Sequence, residues 1–95
     1  MIKDWIEEAL KRLNRKNTEL YFTLHILKDK CISQEEKQIC EQAVRYGPIH
    51  WKYSKNRKIC FKKYVRSYNK TYFVITSFNT NFIKIITLFK KKGKH

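Results

Sequence analysis

Apolar residues near the start of the chain recur every three or four positions, as they do along one face of a helix. The residues of this stripe are Ile2, Trp5, Ile6, Ala9, Leu10 and Leu13. Charged residues occupy the opposite face, so the pattern predicts an amphipathic helix over residues 2–13. Residues 19–24 leave two alternatives open: a short strand, or the first turn of a helix that continues to Leu27.

A further helical stripe begins after Ser33. Ser33 and Glu36 have the spacing of a capping box, in which each side chain bonds the backbone of the other residue. The apolar stripe that follows consists of Ile39, Cys40, Ala43 and Val44. Gly47 and Pro48 are typical of the end of a helix. The sequence therefore predicts a helix that begins after Ser33 and ends before Gly47.

Beyond Pro48 the pattern changes to short apolar runs separated by turn-forming residues. These runs predict strands near residues 49–53, 58–65, 71–78 and 82–89. Simple alternation divides the last run into two faces: Ile83, Ile85, Thr87 and Phe89 on one, and Phe82, Ile86 and Leu88 on the other. Connections this short require antiparallel neighbours.

Together these patterns predict an α+β fold, with two or three N-terminal helices followed by an antiparallel β-meander of three to four strands. A chain of 95 residues, 42% of them hydrophobic, is sufficient for a single domain. We expect a helical part at about 2–46, a sheet at about 49–89 and a basic tail at 90–95.

The charges are distributed unevenly along this pattern. All eight acidic residues lie at or before Glu41, whereas fourteen of the 22 Lys and Arg lie from Arg45 onwards. Positive charges that no acidic residue compensates repel one another. The pattern therefore predicts a polyanionic partner, and nucleic acid is the leading candidate. A solvated basic face is the alternative. The expected nucleic-acid-binding residues are Lys52, Lys58, Lys62, Lys63, Tyr64, Tyr72, Lys84 and Lys90.

Cys31, Cys40 and Cys60 match no zinc-binding spacing and are odd in number. We interpret them as free, small, buried hydrophobic residues of a cytoplasmic protein. The chain has no apolar run long enough for a membrane span, and its first residues do not have the pattern of a secretory signal. No membrane partner and no cofactor are expected.

The acid-free sheet also limits the chemistry. A catalytic carboxylate pair within the sheet is excluded, carboxylate-held Mg²⁺ is disfavoured, and there is no Gly-rich phosphate loop. Metal-free cleavage of RNA stays open, because His, Lys, Arg, Tyr, Thr and Ser can share the proton transfers and stabilise the phosphorane. The candidates are His25, His50, Arg57, Arg66, Tyr72, Thr76, Ser77 and Thr87. Alternatively, His25 is a hydrogen-bonded histidine at the edge of the core, and His50 a histidine on a strand surface.

The order of these residues resembles small toxin-type domains of the barnase–EndoU–colicin–RelE ribonuclease superfamily, in their RelE- and BrnT-like branch. The resemblance rests on His25, on Ile32-Ser33-Gln34-Glu35-Glu36, on Arg45-Tyr46-Gly47 and on Ile85-Ile86-Thr87-Leu88-Phe89. It implies a metal-independent endoribonuclease with His25 and Thr87 as its central pair and Arg57 or Arg66 as the phosphate-binding cation. It also implies an acidic antitoxin protein as a possible partner.

Two other functions remain open from the sequence. A basic sheet with aromatic residues can bind nucleic acid without cleaving it, as an accessory protein of a virus or mobile element would. A protein that inhibits a nucleic-acid-binding partner would have the same composition. A ribonuclease requires its histidine and its cations to converge, whereas a binding protein requires only a spread of positive charge.

Overall fold

The computed structural model describes residue 8 and residues 15–54, 57–78 and 81–95. Its strands are β1 (Glu19–Phe22), β2 (Lys58–Val65), β3 (Lys70–Phe78) and β4 (Phe82–Lys92), and its long helix is α1 (Gln34–Tyr46). A π-helical turn spans His25–Asp29, and short 3₁₀ helices span Trp51–Tyr53 and Arg66–Tyr68. The helix predicted over residues 2–13 lies outside the described residues, apart from Glu8, which is helical.

The four strands form one mixed sheet in the order β1-β4-β3-β2. β2, β3 and β4 pair antiparallel, and β1 pairs parallel with β4. The α+β class is confirmed, but the predicted arrangement is corrected in two respects. The open segment 19–24 provides a parallel edge strand, and one α-helix, rather than two or three, lies fully within the described residues.

The predicted strand at 49–53 is wrong. Ile49 makes only an isolated bridge with Phe61, supported by hydrogen bonds from Lys62 N to Pro48 O and from His50 N to Cys60 O. Beyond His50 the chain turns into the 3₁₀ helix. Tyr53, the last residue of this helix, packs on the sheet, and its ring centroid lies 5.5 Å from that of Phe73.

Helix α1 begins and ends as the sequence predicts. Ser33 and Glu36 form the reciprocal capping box, with Glu36 N donating to Ser33 Oγ at 3.1 Å and Ser33 N donating to Glu36 Oε1 at 3.2 Å. At the other end, Arg15 donates from Nε to Val44 O at 2.9 Å and also to Gly47 O. A guanidinium on the last carbonyls of a helix satisfies their unpaired acceptors and opposes the negative end of the helix dipole.

Helix α1 covers one face of the sheet, which we call the near face. The core beneath it is apolar and includes Phe61, Val74 and Leu88, which are in register across β2, β3 and β4. The rest of this core consists of Ile26, Ile39, Cys40, Ala43, Val44, Ile59, Tyr72, Ile83 and Ile85. Because neighbouring strand residues point to opposite faces, Lys62, Phe73 and Phe89 lie on the other face, the far face.

A β-bulge in β4 changes the alternation that the sequence predicts. Ile75 pairs with Thr87 and Thr76 pairs with Ile85, so that Ile86 is the extra residue. An extra residue moves the following side chains to the other face of the sheet. Ile83, Ile85 and Leu88 therefore share the near face, while Thr87 and Phe89 lie on the far face.

The predicted basic tail at 90–95 is partly a strand. Lys90, Lys91 and Lys92 pair with Tyr72, Thr71 and Lys70 at the end of β4. Beyond them, Gly93 N donates to Asn69 O at 2.8 Å and Thr71 Oγ1 donates to Gly93 O at 2.7 Å. These bonds hold the last residues against the end of β3.

All three cysteines are free thiols, as predicted. Cys40 and Cys60 are fully buried, and burial raises the pKa of each thiol to about 12. Cys31 differs from the prediction because it is exposed.

Candidate nucleic-acid interface

The far face is the side of the sheet on which basic side chains are exposed between aromatic rings. Strands β2, β3 and β4 contain no acidic residue. One row of the register runs across the whole sheet through Tyr21, Lys84, Ser77 and Lys58. Tyr21, Lys84 and Lys58 in this row are exposed, so they present two ammonium groups and an aromatic ring.

At the other end of the far face, aromatic and imidazole rings pack together. We call this group the ring cluster; it consists of His50, Tyr53, Phe73, Phe89 and His95. Phe73 and Phe89 stack at 4.9 Å between centroids, and the Tyr53 ring meets Phe89 edge-on at 5.4 Å. His50 contacts Tyr53 at 4.6 Å and Phe73 at 5.0 Å. His95 contacts Phe73 at 5.9 Å.

Three lysines surround the ring cluster. Lys91 Nζ donates to the Tyr53 hydroxyl at 2.6 Å, and it lies 5.8 Å from the centre of the Phe73 ring. Lys62 Nζ donates to the backbone oxygen of His95 at 2.8 Å, and Lys52 Nζ lies 5.9 Å from the centre of the Tyr53 ring. Each ammonium has three donors, so these contacts leave capacity for phosphate oxygens.

The pKa values of the cluster follow from these positive charges. Partial burial, followed by the charges of Lys62, Lys52, Lys91 and His95, lowers the pKa of His50 from its ordinary value of 6.5. The hydrogen bond from Lys91 lowers the pKa of the Tyr53 hydroxyl. His50 is therefore a neutral imidazole at pH 7, able to accept a proton, and the Tyr53 phenol is a stronger acid than an ordinary tyrosine.

The four predicted catalytic residues do not all meet at one position. His25 lies in the turn after β1, and its Nδ1 is 3.0 Å from Asp29 Oδ2. Thr87 lies on β4, the strand beside β1. Arg57 and Arg66 flank the two ends of the eight-residue strand β2, at the opposite edge of the sheet. They are roughly 30 Å apart along that strand, so the two arginines do not meet at one position.

The predicted binding residues divide between the two faces. Lys52, Lys58, Lys62 and Lys84 lie on the far face. Tyr64 is half-buried beside it, and its hydroxyl donates to Asn69 Oδ1 at 2.9 Å.

Two of the predicted binding residues lie on the near face, where they already contact other residues of the protein. Tyr72 is only 3% exposed. Lys90 Nζ forms an ion pair with Glu36 Oε2 at 3.0 Å. Partial burial raises the pKa of Glu36, but hydrogen bonds from Lys90 and Ser33 outweigh it and hold this pKa below its ordinary value.

Sequence reasoning missed Tyr53, Lys91 and His95 as members of one site, and it named His50 both as a candidate for catalysis and, alternatively, as a histidine on a strand surface. The convergence depends on the 3₁₀ helix at Trp51–Tyr53 and on the bulge in β4. The pattern of apolar residues indicates neither. The one available indication was that Phe73 and Phe89 lie on strands that the sequence did predict, whereas Lys91 lies two residues beyond the predicted end of the last strand.

Among the described residues, no three His, Cys, Asp or Glu side chains come together as a metal-binding group. In the same part of the chain, no helix is both long and apolar enough to cross a membrane. Comparisons with protein-family models, with curated proteins and with solved structures found no match to this chain.

Proposed function

We propose that the protein binds single-stranded RNA across the far face of its sheet. The observation that supports this proposal most directly is the ring cluster, around which Lys52, Lys62 and Lys91 converge without a carboxylate among the three strands beneath it. Ammonium groups at this density neutralise phosphates and release their counterions. Exposed aromatic rings, such as Tyr21 and Trp51, offer flat surfaces to unpaired bases.

A fluorescence anisotropy titration tests this proposal with a labelled single-stranded RNA in EDTA at several salt concentrations. We expect affinity to fall steeply with salt, with a slope of about −0.7 for each phosphate contacted. A Lys62→Gln/Lys91→Gln variant should lose affinity and reduce the slope by about 1.4. The matched control is Lys16→Gln/Lys37→Gln, which removes the same charge beside α1. Equal losses in the two variants, or no binding at low salt, would overturn the proposal.

Metal-independent cleavage of RNA is the second candidate, and the neighbouring positions of His50, Tyr53 and Lys91 favour it. In this reaction the neutral imidazole of His50 takes the proton of a 2′-hydroxyl, and the 2′-oxygen forms a bond to phosphorus. The bond from phosphorus to the 5′-oxygen breaks, and the Tyr53 hydroxyl donates its proton to that oxygen. Lys91 stabilises the resulting phenolate, and Lys62 stabilises the negative charge of the phosphorane.

The cleavage candidate is tested on an RNA whose products are followed with and without one 2′-deoxy substitution. His50→Ala and Tyr53→Phe should each reduce cleavage at least about 100-fold. Binding by Tyr53→Phe should change little, since its ring remains. His25→Ala/Thr87→Ala is the informative comparison, because the family resemblance assigns catalysis to that pair. Loss of cleavage in that variant alone would move the site away from the ring cluster. Binding by the wild type without cleavage would leave only the binding function.

A RelE-like relationship and an acidic protein partner belong to the same proposal. The acid-free strands support the acidic partner, because an acidic segment lying on the far face would neutralise its charge and exclude RNA at once. Competition between an acidic peptide and labelled RNA measures this, and simultaneous binding of both would contradict it.

A further inference from the structure

A groove of roughly 500 Å³ lies between the last turn of α1, the outer edge of β2 and the final residues of the chain. It is large enough for one nucleotide. The side chains that give it its chemistry are Gln42, Tyr46, Lys62, Lys63, Tyr64 and Lys94.

The groove wraps around an edge strand. Lys62 and Lys63 are consecutive on β2, so they point to opposite faces of the sheet, yet both line the groove. Lys62 also lies beside the ring cluster, where it donates to His95 O at 2.8 Å. The groove is therefore continuous with the far face, and an RNA strand bound to the far face reaches the groove around the edge of β2.

Close contact between α1 and β2 forms one end of the groove. Gly47 follows α1 at this point, and a Cβ on it would lie 2.6 Å from Ala43 O and closer still to Lys62 O. Only a residue without a side chain allows this approach. The approach sets the ring of Tyr46 and the amide of Gln42 opposite the lysines.

The lining combines positive charge, aromatic surface and a side-chain amide. No carboxylate side chain lines the groove, and Lys63 has no ion-pair partner among the described residues. Tyr46 is 67% exposed, so its ring is available for stacking. The Tyr64 ring is held by the bond of its hydroxyl to Asn69, and Lys94 Nζ lies 5.8 Å from its centre. Gln42 offers both donors and an acceptor.

We propose that this groove binds one nucleotide of the RNA and distinguishes its base. Lys63 and Lys94 bind the phosphate, the Tyr46 ring stacks on the base, and the Gln42 amide hydrogen-bonds the base edge. The inference rests on the proposed RNA binding of the far face, since the RNA bound there continues into the groove. It adds base preference at one position to a surface that otherwise contacts phosphates and stacks on bases without distinguishing them.

Titration of the ¹⁵N-labelled protein with each of the four nucleoside 5′-monophosphates measures the groove without the rest of the strand. We expect the backbone amides of Gln42, Tyr46 and Lys63 to shift, and one base to bind more tightly than the others. Inorganic phosphate is the control ligand. The proposal is overturned if no groove amide shifts, if phosphate alone reproduces the shifts, or if all four nucleotides bind equally.

Two variants assign the roles within the groove. Tyr46→Ala should weaken nucleotide binding at least about 5-fold, while Tyr46→Phe retains the ring and the affinity. Gln42→Ala should remove the difference between the bases, whereas Gln38→Ala, one turn earlier on α1, should not. Equal effects of the two glutamine variants would contradict base recognition.

The same titration separates failure of the groove from failure of the far face. Nucleotides that shift the groove amides in a protein that binds no RNA would remove the far-face proposal and leave the groove. RNA that binds without base preference and without an effect of Tyr46→Ala would leave the far face and remove the groove.

Discussion

The two faces of this sheet are built from the same four strands and have different chemistry. On the near face, Phe61 and Val74 are fully buried with the aliphatic side chains of α1, and Thr76 satisfies its hydroxyl by donating to Ile59 O at 2.9 Å. On the far face, the alternate residues include Lys62, Lys84 and Lys91 and the rings of Phe73 and Phe89, and three ammonium groups surround the ring cluster. The near face holds the fold together, while the far face concentrates charge.

The comparison explains how a chain with a net charge of +14 remains compact. Acidic residues lie on α1, where Glu36 pairs with Lys90 and Glu41 pairs with Arg45. Lys58, Lys62, Lys84 and Lys91, which have no ion-pair partner among the described residues, lie on the far face, separated from the core by one layer of strands. Alternation along a strand allows both surfaces to form without compromise between them. Four predictions test this division, from the largest expected effect to the smallest.

Phe61→Ala tests the near face. Because Phe61 is fully buried, its truncation should lower the free energy of unfolding by about 3–5 kcal/mol in a urea titration. Tyr53→Ala on the far face should cost less stability, since Tyr53 is only half-buried, and should weaken RNA binding more. A reversed order of the two variants in stability would contradict the division between the faces.

Gly47→Ala tests the approach of α1 to β2. The added methyl group collides with backbone oxygens, so we expect a loss of about 1–3 kcal/mol in the free energy of unfolding. Gly93→Ala is the control, because a Cβ there meets no atom within 4 Å and only the positive φ of 87° is unfavourable. That variant should lose about 1 kcal/mol. Equal losses would show that the contact at Gly47 adjusts easily.

Lys90→Gln and Lys91→Gln compare adjacent lysines of one strand that point to opposite faces. Lys91→Gln should lower the salt slope of RNA binding by about 0.7 and leave stability within about 0.5 kcal/mol. Lys90→Gln should leave RNA binding unchanged and cost at most about 1 kcal/mol, because its partly exposed ion pair with Glu36 is screened by water. Anisotropy and urea unfolding of both proteins measure these values. RNA affinity that falls equally in both would contradict the assignment of faces.

His50 makes the far face sensitive to pH. Its pKa is lowered in the folded protein, so the unfolded chain binds the proton first as the pH falls below the ordinary value of 6.5. As the pH falls from that value to the folded pKa, the free energy of unfolding should therefore decrease. Above that value, His50 should not affect it. In His50→Gln this part of the decrease should be absent from urea titrations between pH 5 and 8. An unchanged pH profile would contradict the lowered pKa.

The sequence predicted the elements whose pattern is local. The capping box of Ser33 and Glu36 begins α1 as expected, because both partners lie within one turn. β2 was predicted with its exact bounds, 58–65, since apolar residues and turn-forming residues mark its ends. The prediction was less successful at residues 19–24 and at 49–53. Short segments such as these form strands only when a neighbouring strand provides hydrogen bonds, which a local pattern does not contain.

The candidate site was predicted in composition and not in position. The charge asymmetry singled out Lys52, Lys58, Lys62 and Lys84, because an acid-free segment is visible in the sequence alone. These four lysines lie on the far face. The prediction also included Tyr72 and Lys90, which the structure places in the core and in an ion pair. Face assignment depends on register, so a single extra residue reverses it.

The amino-acid sequence alone determined the class of the fold, helix α1, three antiparallel strands and the concentration of positive charge after Glu41. These follow from spacing and composition, which act over a few residues. Only the tertiary structure decided that β1 lies parallel to β4, that Ile86 forms a bulge, and that His50, Tyr53 and Lys91 meet. Each of these depends on hydrogen bonds and packing between residues far apart in the chain, where the free energy of pairing, and not local preference, selects the arrangement.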